Sequence, residues 1–127
     1  MQNYGVTMSL IMIVDDAYTI RGPLRLVLEE LGHEVVDFED GKFAISHARE
    51  NLVDLVITDL NMPVMSGMTL IASLRRLESY KTIPILVLTT ESADGKKNKA
   101  RGLGATGWLT KPFSKERIRK ALDKTLD

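Results

Sequence analysis

Three short apolar runs in this chain each lead straight into a charged residue, and that repetition narrows the fold more than anything else. Leu10-Ile11-Met12-Ile13-Val14 runs into Asp15-Asp16, Leu55-Val56-Ile57-Thr58 into Asp59, and Gly107-Trp108-Leu109-Thr110 into Lys111-Pro112. Runs of this length, set between helical patterns, read as buried strands of a parallel sheet. Ligand sites in such sheets form at the carboxyl ends of the strands. Three acids and one lysine are thereby placed where one end of one sheet could gather them. Crowded carboxylates repel unless a cation joins them. The cluster therefore predicts a hard divalent ion such as magnesium, with a phosphate-like group nearby.

The segments between the strands have helical spacing. Ile20, Leu24, Val27, Leu28 and Leu31 share one face, and Gly32 ends that helix. A second strand is expected at 34–38. A second helix starts near Gly41 and presents Phe43, Ala44 and Ala48. The third strand reads as 53–58. The third helix starts near Ser66 and shows Leu70, Ile71, Leu74 and Leu77. The fourth strand reads as 83–89. The fourth helix, around 94–103, has only Ala93, Ala100 and Leu103 to anchor it, so weak packing is expected. A fifth strand at 106–109 precedes a fifth helix that Ser114 caps. Alternation of this kind is an α/β pattern. One conflict is local: Pro23 falls inside the first helical pattern, so the helix either kinks or begins its regular part near Pro23.

Length and composition fit one domain. At 127 residues the chain can bury a real core, and the reading is a loose tail over 1–8 followed by one domain over 9–127. No cysteine is present, which excludes disulfides and thiolate metal sites. No apolar run could span a bilayer and no signal peptide is visible, so a cytoplasmic protein without membrane association is expected. Charge is unevenly placed. Residues 1–60 hold 11 acids and 4 bases, whereas residues 94–127 hold 4 acids and 10 bases. A basic surface on the last two helices suits an acidic partner. Nucleic acid is not expected, because acids alternate with the bases and no aromatic residues interleave with them.

With Asp15-Asp16, Asp59 in Asp-Leu-Asn-Met-Pro, Thr89, and Lys111 in Lys-Pro-Phe quoted in order, the chain resembles the receiver domain of two-component response regulators from about Ser9 to Leu126. The resemblance implies a doubly wound, flavodoxin-like five-stranded parallel sheet with five helices and strand order 2-1-3-4-5, the order of the chemotaxis protein CheY. It implies that Asp59 is the phosphoacceptor and that a partner histidine kinase supplies the phosphoryl group. It further implies Asp15, Asp16, Asp59 and the main-chain carbonyl of Asn61 as magnesium ligands, Asp15 through water. Lys111 would pair with Asp59 before reaction, Thr89 would be the switch hydroxyl, and Trp108 would be the mobile aromatic. The Lys111–Pro112 bond would be cis.

Thr89-Thr90-Glu91-Ser92 and the stretch from Gly102 to Trp108 further resemble the chemotaxis subgroup, whose phosphorylated form binds the flagellar motor switch. A single-domain, monomeric receiver is expected, one that meets a motor-switch protein and a phosphatase and catalyses only its own phosphorylation and dephosphorylation. Two other readings compete. One is a stand-alone receiver in another phosphorelay. The other is a magnesium-dependent phosphatase with an aspartyl nucleophile, but those enzymes usually place a second acid where Asn61 stands. Single residues also have plainer uses: an Asp pair suits a helix N-cap, and threonine is common at strand ends.

Overall fold

The computed structural model describes residues 8–126, so the expected tail falls outside the described residues except for Met8. Five strands, β1 (Leu10–Val14), β2 (Glu34–Phe38), β3 (Leu55–Thr58), β4 (Ile85–Thr89) and β5 (Gly107–Thr110), alternate with five helices. The helices are α1 (Tyr18–Glu30), α2 (Gly41–Glu50), α3 (Gly67–Arg76), α4 (Asp94–Leu103) and α5 (Lys115–Thr125), and a 3-10 turn at Glu78–Tyr80 follows α3. All strand pairs are parallel and the order is β2-β1-β3-β4-β5, as expected.

Side chains alternate across a strand, so each apolar run feeds two cores. Met12, Val14, Val56, Ile85 and Val87 face one way and pack with Ala44, Ala48, Leu70, Ile71 and Leu74 of α2 and α3. Ile11, Ile13, Leu55, Ile57, Leu86 and Leu88 face the other way, toward Leu24 and Leu28 of α1 and Ile118 and Leu122 of α5. Both faces of the central strands are covered, which is why their sequences are continuous apolar runs.

Three local details differ from the sequence reading, and a fourth bears on a choice it left open. β4 begins at Ile85 because Pro84 has no N–H to give the ladder, although its carbonyl still accepts from Val56. Phe43 does not join the core: it is 57% exposed, and Ile45 is buried instead. The reason is the helix start. Asp40 caps α2 by accepting from Lys42 N (2.9 Å) and Phe43 N (3.1 Å), and 3.6-residue spacing from Gly41 then buries Ala44, Ile45 and Ala48. α1 begins at Tyr18, five residues before Pro23, so the proline lies inside the helix and the carbonyl of Thr19 has no N–H four residues on. Tyr80, absent from the sequence reading, is fully buried and donates its hydroxyl to Asn51 O at 2.6 Å. As the sequence suggested, α4 is thinly anchored, with Ala100 its buried residue.

The start of β1 is tied down by two side chains. Ser9 N donates to His33 Nδ1 at 3.1 Å, and Leu10 N donates to Asp54 Oδ2 at 2.8 Å. The His33 pKa is lowered, chiefly by burial and against the pull of the Asp54 charge. A lowered folded pKa means stability that is present above the unfolded value, about 6.5, and is lost as pH falls through the folded pKa. The urea midpoint of the parent is expected to fall between about pH 7 and pH 5.5. In His33→Asn, which offers a non-titrating acceptor, it should stay flatter. Parallel curves for the two proteins would remove His33 as the cause.

Candidate functional site

The acidic pair, Asp59, Thr89 and Lys111 all sit at or just past the carboxyl ends of adjacent strands. Parallel pairing in register places them there: Val14 lies beside Thr58, Thr58 beside Val87, and Thr89 beside Thr110. Asp59 is 7% exposed, Asp15 3% and Thr89 fully buried, whereas Asp16 is exposed. One carboxylate oxygen from each of Asp15, Asp16 and Asp59 lies within 4.8 Å of the others. Three hard oxygens so close suit a small divalent cation.

Asp15 is held on every polar atom. Its N–H donates to Phe38 O (3.1 Å), its carbonyl accepts from Arg21 Nη1 (2.6 Å), and Oδ1 accepts from Ala17 N (2.9 Å). Its Oδ2 accepts from Lys111 Nζ at 2.8 Å. Asp59 is fixed from its own loop: Oδ1 accepts from Leu60 N at 2.7 Å, its N–H donates to Val14 O, and its carbonyl accepts the Thr58 hydroxyl at 2.8 Å.

Lys111 pairs with Asp59 as the resemblance implied, and it bridges to Asp15 as well. The shorter contact goes to Asp15, and Asp59 Oδ2 stands 3.3 Å away. Ala17 N–H pins the other oxygen of Asp15, which leaves Oδ2 presented to the ammonium. Burial works against the Lys111 charge, yet the Asp15 hydrogen bond and the charges of Asp15 and Asp59 outweigh it, and the lysine pKa is raised. The Lys111–Pro112 peptide is cis. The ammonium shares the oxygens that a cation would need. Lys111→Ala is therefore expected to bind magnesium several-fold more tightly in a calorimetric titration, on the order of the affinity change that nearby like charges cause. Weaker binding would mean that the lysine orders the acids rather than competing for them.

Thr89, Glu91 and Trp108 form a second, connected group. Glu91 N donates to Thr89 Oγ1 (3.4 Å), and Trp108 Nε1 donates to Glu91 O (3.2 Å). The Glu91 carboxylate accepts from Ser92 N and Ala93 N at 3.2 Å each, just ahead of α4. Trp108 is half-buried. Asn61 is exposed beside the cluster in sequence, two residues past Asp59. Val64, at φ 70, is centred on a tight turn in which Met65 N donates to Pro63 O at 2.7 Å.

A family model described as the response regulator receiver domain matches residues 11–123. The chain belongs to that family. The receiver is 33% identical over 118 residues to the chemotaxis protein CheY-3 of Vibrio cholerae, a match covering 92% of this chain and 91% of that protein. It is 32% identical over 119 residues to the protein PilH of Pseudomonas aeruginosa, with 94% and 98% covered. Among solved structures, the V. cholerae chemotaxis protein CheY4 superimposes with a TM-score of 0.90 at 39% identity, covering 94% of this receiver and 99% of that chain.

The sequence motifs missed three residues that shape the receiver's site. Arg21 binds the Asp15 carbonyl, Glu91 joins Thr89 to Trp108, and Gly67 packs against Asp59. Glu91 lies in the Thr89-Thr90-Glu91-Ser92 stretch of the resemblance, which gave it no role, Gly67 directly follows the Ser66 cap of α3, and Arg21 had no sequence signal.

Proposed function

We propose that this receiver is a chemotaxis-type response regulator, phosphorylated on Asp59 by a partner histidine kinase with Mg2+, that signals by phosphorylation-dependent binding to the flagellar motor switch. The observation that carries the reading is the convergence of Asp15, Asp16 and Asp59 within ligand distance of one another under the ammonium of Lys111. Asp15, Asp16, Asp59 and the Asn61 carbonyl would hold magnesium, which when bound supplies charge neutralisation for an anionic transfer.

The chain's own groups do the rest. An Asp59 carboxylate oxygen attacks phosphorus and forms an acyl phosphate, while the bond from phosphorus to the donor's histidine nitrogen breaks and its electron pair stays with the imidazole. Lys111 then meets a phosphoryl oxygen, and the Thr89 hydroxyl donates to another. If Thr89 rotates toward that oxygen, its long 3.4 Å contact with Glu91 N gives way. Because Glu91 O holds the indole of Trp108, the same movement reaches the aromatic and the start of α4. The activity is self-phosphorylation and self-dephosphorylation, with no turnover of an outside substrate. A phosphatase partner would shorten the signal.

The output surface is basic. Among the described residues, Lys96, Lys97, Lys99 and Arg101 of α4 make no ion pairs, and a groove of about 460 Å³ between β5 and α5 is lined by Leu86, Trp108, Leu109, Lys120 and Lys124. An acidic segment with apolar anchors fits that chemistry. The reading places the protein in the cytoplasm as a monomer. Among the described residues no helix is long and apolar enough to cross a membrane.

Trp108, the only tryptophan, reports the switch. Adding magnesium with beryllofluoride, a stand-in for the phosphoryl group, should shift its emission to the blue and lower its quenching by iodide. The loaded protein should then bind an acidic motor-switch segment at least about tenfold more tightly than the unloaded one, a coupling of about 1.4 kcal/mol. Thr89→Ala should show a smaller emission change. Bound beryllofluoride with neither a spectral change nor tighter binding would sink the reading.

A further inference from the structure

The first turn of α1 is built from poor helix starters, yet it must support the acidic pair. Ala17 stands at the N-cap with no side-chain bond to offer, Gly22 follows in the turn, and Pro23 removes the N–H that Thr19 would have used. Outside the ladder within α1 itself, Ile20 N and Arg21 N close the start of the helix, both donating to Ala17 O at 3.0 Å. Against this background one side-chain bond stands out. Arg21 Nη1 donates to the main-chain oxygen of Asp15 at 2.6 Å, and Arg21 makes no ion pair among the described residues. Arg21 is half-buried and has no carboxylate partner among the described residues.

We propose that Arg21 is a positioning residue for the acidic cluster: it ties the first turn of α1 back to Asp15 and so holds Asp15 and Asp16 at the spacing a divalent cation needs. The tie replaces the missing cap. Asp15 Oδ1 accepts from Ala17 N, and Ala17 O accepts the first two helix N–H groups, so Arg21 closes a ring from strand end to helix and back. If the turn loosens, Asp16, which is exposed and has no side-chain bond among the described residues, loses its aim first. The inference rests on the magnesium reading under Proposed function.

Charge and positioning predict opposite signs. Deleting a cation beside a metal site strengthens metal binding if only charge matters. Deleting a tie to a ligand weakens it, commonly by 10–100-fold for groups that orient ligands. Arg21→Met keeps the stem and removes the donors. It is expected to weaken magnesium binding about tenfold by calorimetry, at the low end of that range. In the metal-free protein, amides 20 and 21 should exchange with solvent about tenfold faster, as a locally opened turn does. Arg21→Lys keeps a donor on a long stem and should recover most of the magnesium affinity that Arg21→Met loses. Unchanged or tighter magnesium binding in Arg21→Met would overturn the proposal, as would unchanged amide exchange or no recovery in Arg21→Lys. If the parent itself fails to bind magnesium, the metal reading falls, and the amide exchange then decides the tie separately. If Arg21→Met does not fold, Arg21→Gln, neutral and shorter, is read by the same two measurements, and parental values in both would equally overturn the proposal.

Discussion

Incubated with magnesium and acetyl phosphate, the protein should gain one acid-stable, base-labile phosphoryl group, and Asp59→Asn should gain none. The chemistry is that of an acyl phosphate, which a carboxylate can form and an amide cannot. The geometry narrows the choice of carboxylate. Asp15 has both oxygens engaged, one by Ala17 N and one by Lys111, and its main chain is tied to Phe38 and Arg21. Asp16 is exposed and lacks the lysine. Asp59 alone is buried and keeps an oxygen, Oδ2, whose lysine contact is long at 3.3 Å. A carboxylate is a modest nucleophile, so rate must come from placement and charge neutralisation. Chelating magnesium should therefore abolish labelling of the parent as well. Asparagine is close in shape to aspartate, so the variant's fold should hold, and circular dichroism would check it. Full labelling of Asp59→Asn would transfer the nucleophile to another residue and remove the central claim.

The site was legible because buried parallel strands write themselves as unbroken apolar runs, and the residues that matter come directly after each run. Asp15, Asp16, Asp59 and Lys111 could be picked out without coordinates for that reason, and Thr89 through the family resemblance. What could not be read depends on relations between segments. The Lys111 contact goes mainly to Asp15 because Ala17 N–H pins the far oxygen, a local hydrogen bond that leaves no trace in composition. Phe43 looked like core because it is apolar, but the Asp40 cap fixes the helix phase and turns it outward. Pro23 left open either a kink or a late regular start, and Tyr18–Gly22 are helical ahead of it. Arg75 is another case. It has no acid partner among the described residues and instead donates to the carbonyls of Tyr80, Ile83 and Gly104, joining α3 to the start of β5. Burial lowers its pKa, and an arginine with such partners looks in the sequence like any surface base.

Gly67→Ala should damage both stability and phosphorylation, although helix propensity alone predicts the reverse. Gly67 is the first residue of α3, and replacing glycine by alanine in a helix ordinarily gains up to about 1 kcal/mol. Here a Cβ would press into the Asp59 carbonyl oxygen and lie 2.7 Å from Leu60 Cα and 2.9 Å from the Asp59 carbonyl carbon. All three are main-chain atoms of a buried segment, so no flexible side chain can move aside. Gly67 N also donates to Leu60 O at 2.9 Å, which draws the two segments together. Overpacking typically costs about 1–3 kcal/mol, and contact with buried backbone belongs at the upper end. The clash therefore wins, for a net loss of about 2 kcal/mol after the propensity gain, a large share of a typical domain's margin of about 5–15 kcal/mol. With Gly67 N bonded to Leu60 O, relief is expected as a shift of the Asp59–Leu60 backbone. A displacement of about 1 Å at a reacting group can cost about 100-fold in rate. Urea unfolding would give the stability change, and labelling by acetyl phosphate at low temperature, where the variant stays folded, would give the rate. A variant with parental stability and parental labelling would show that the α3 start can retreat without moving Asp59, and the close approach at Gly67 would then have no part in placing the nucleophile.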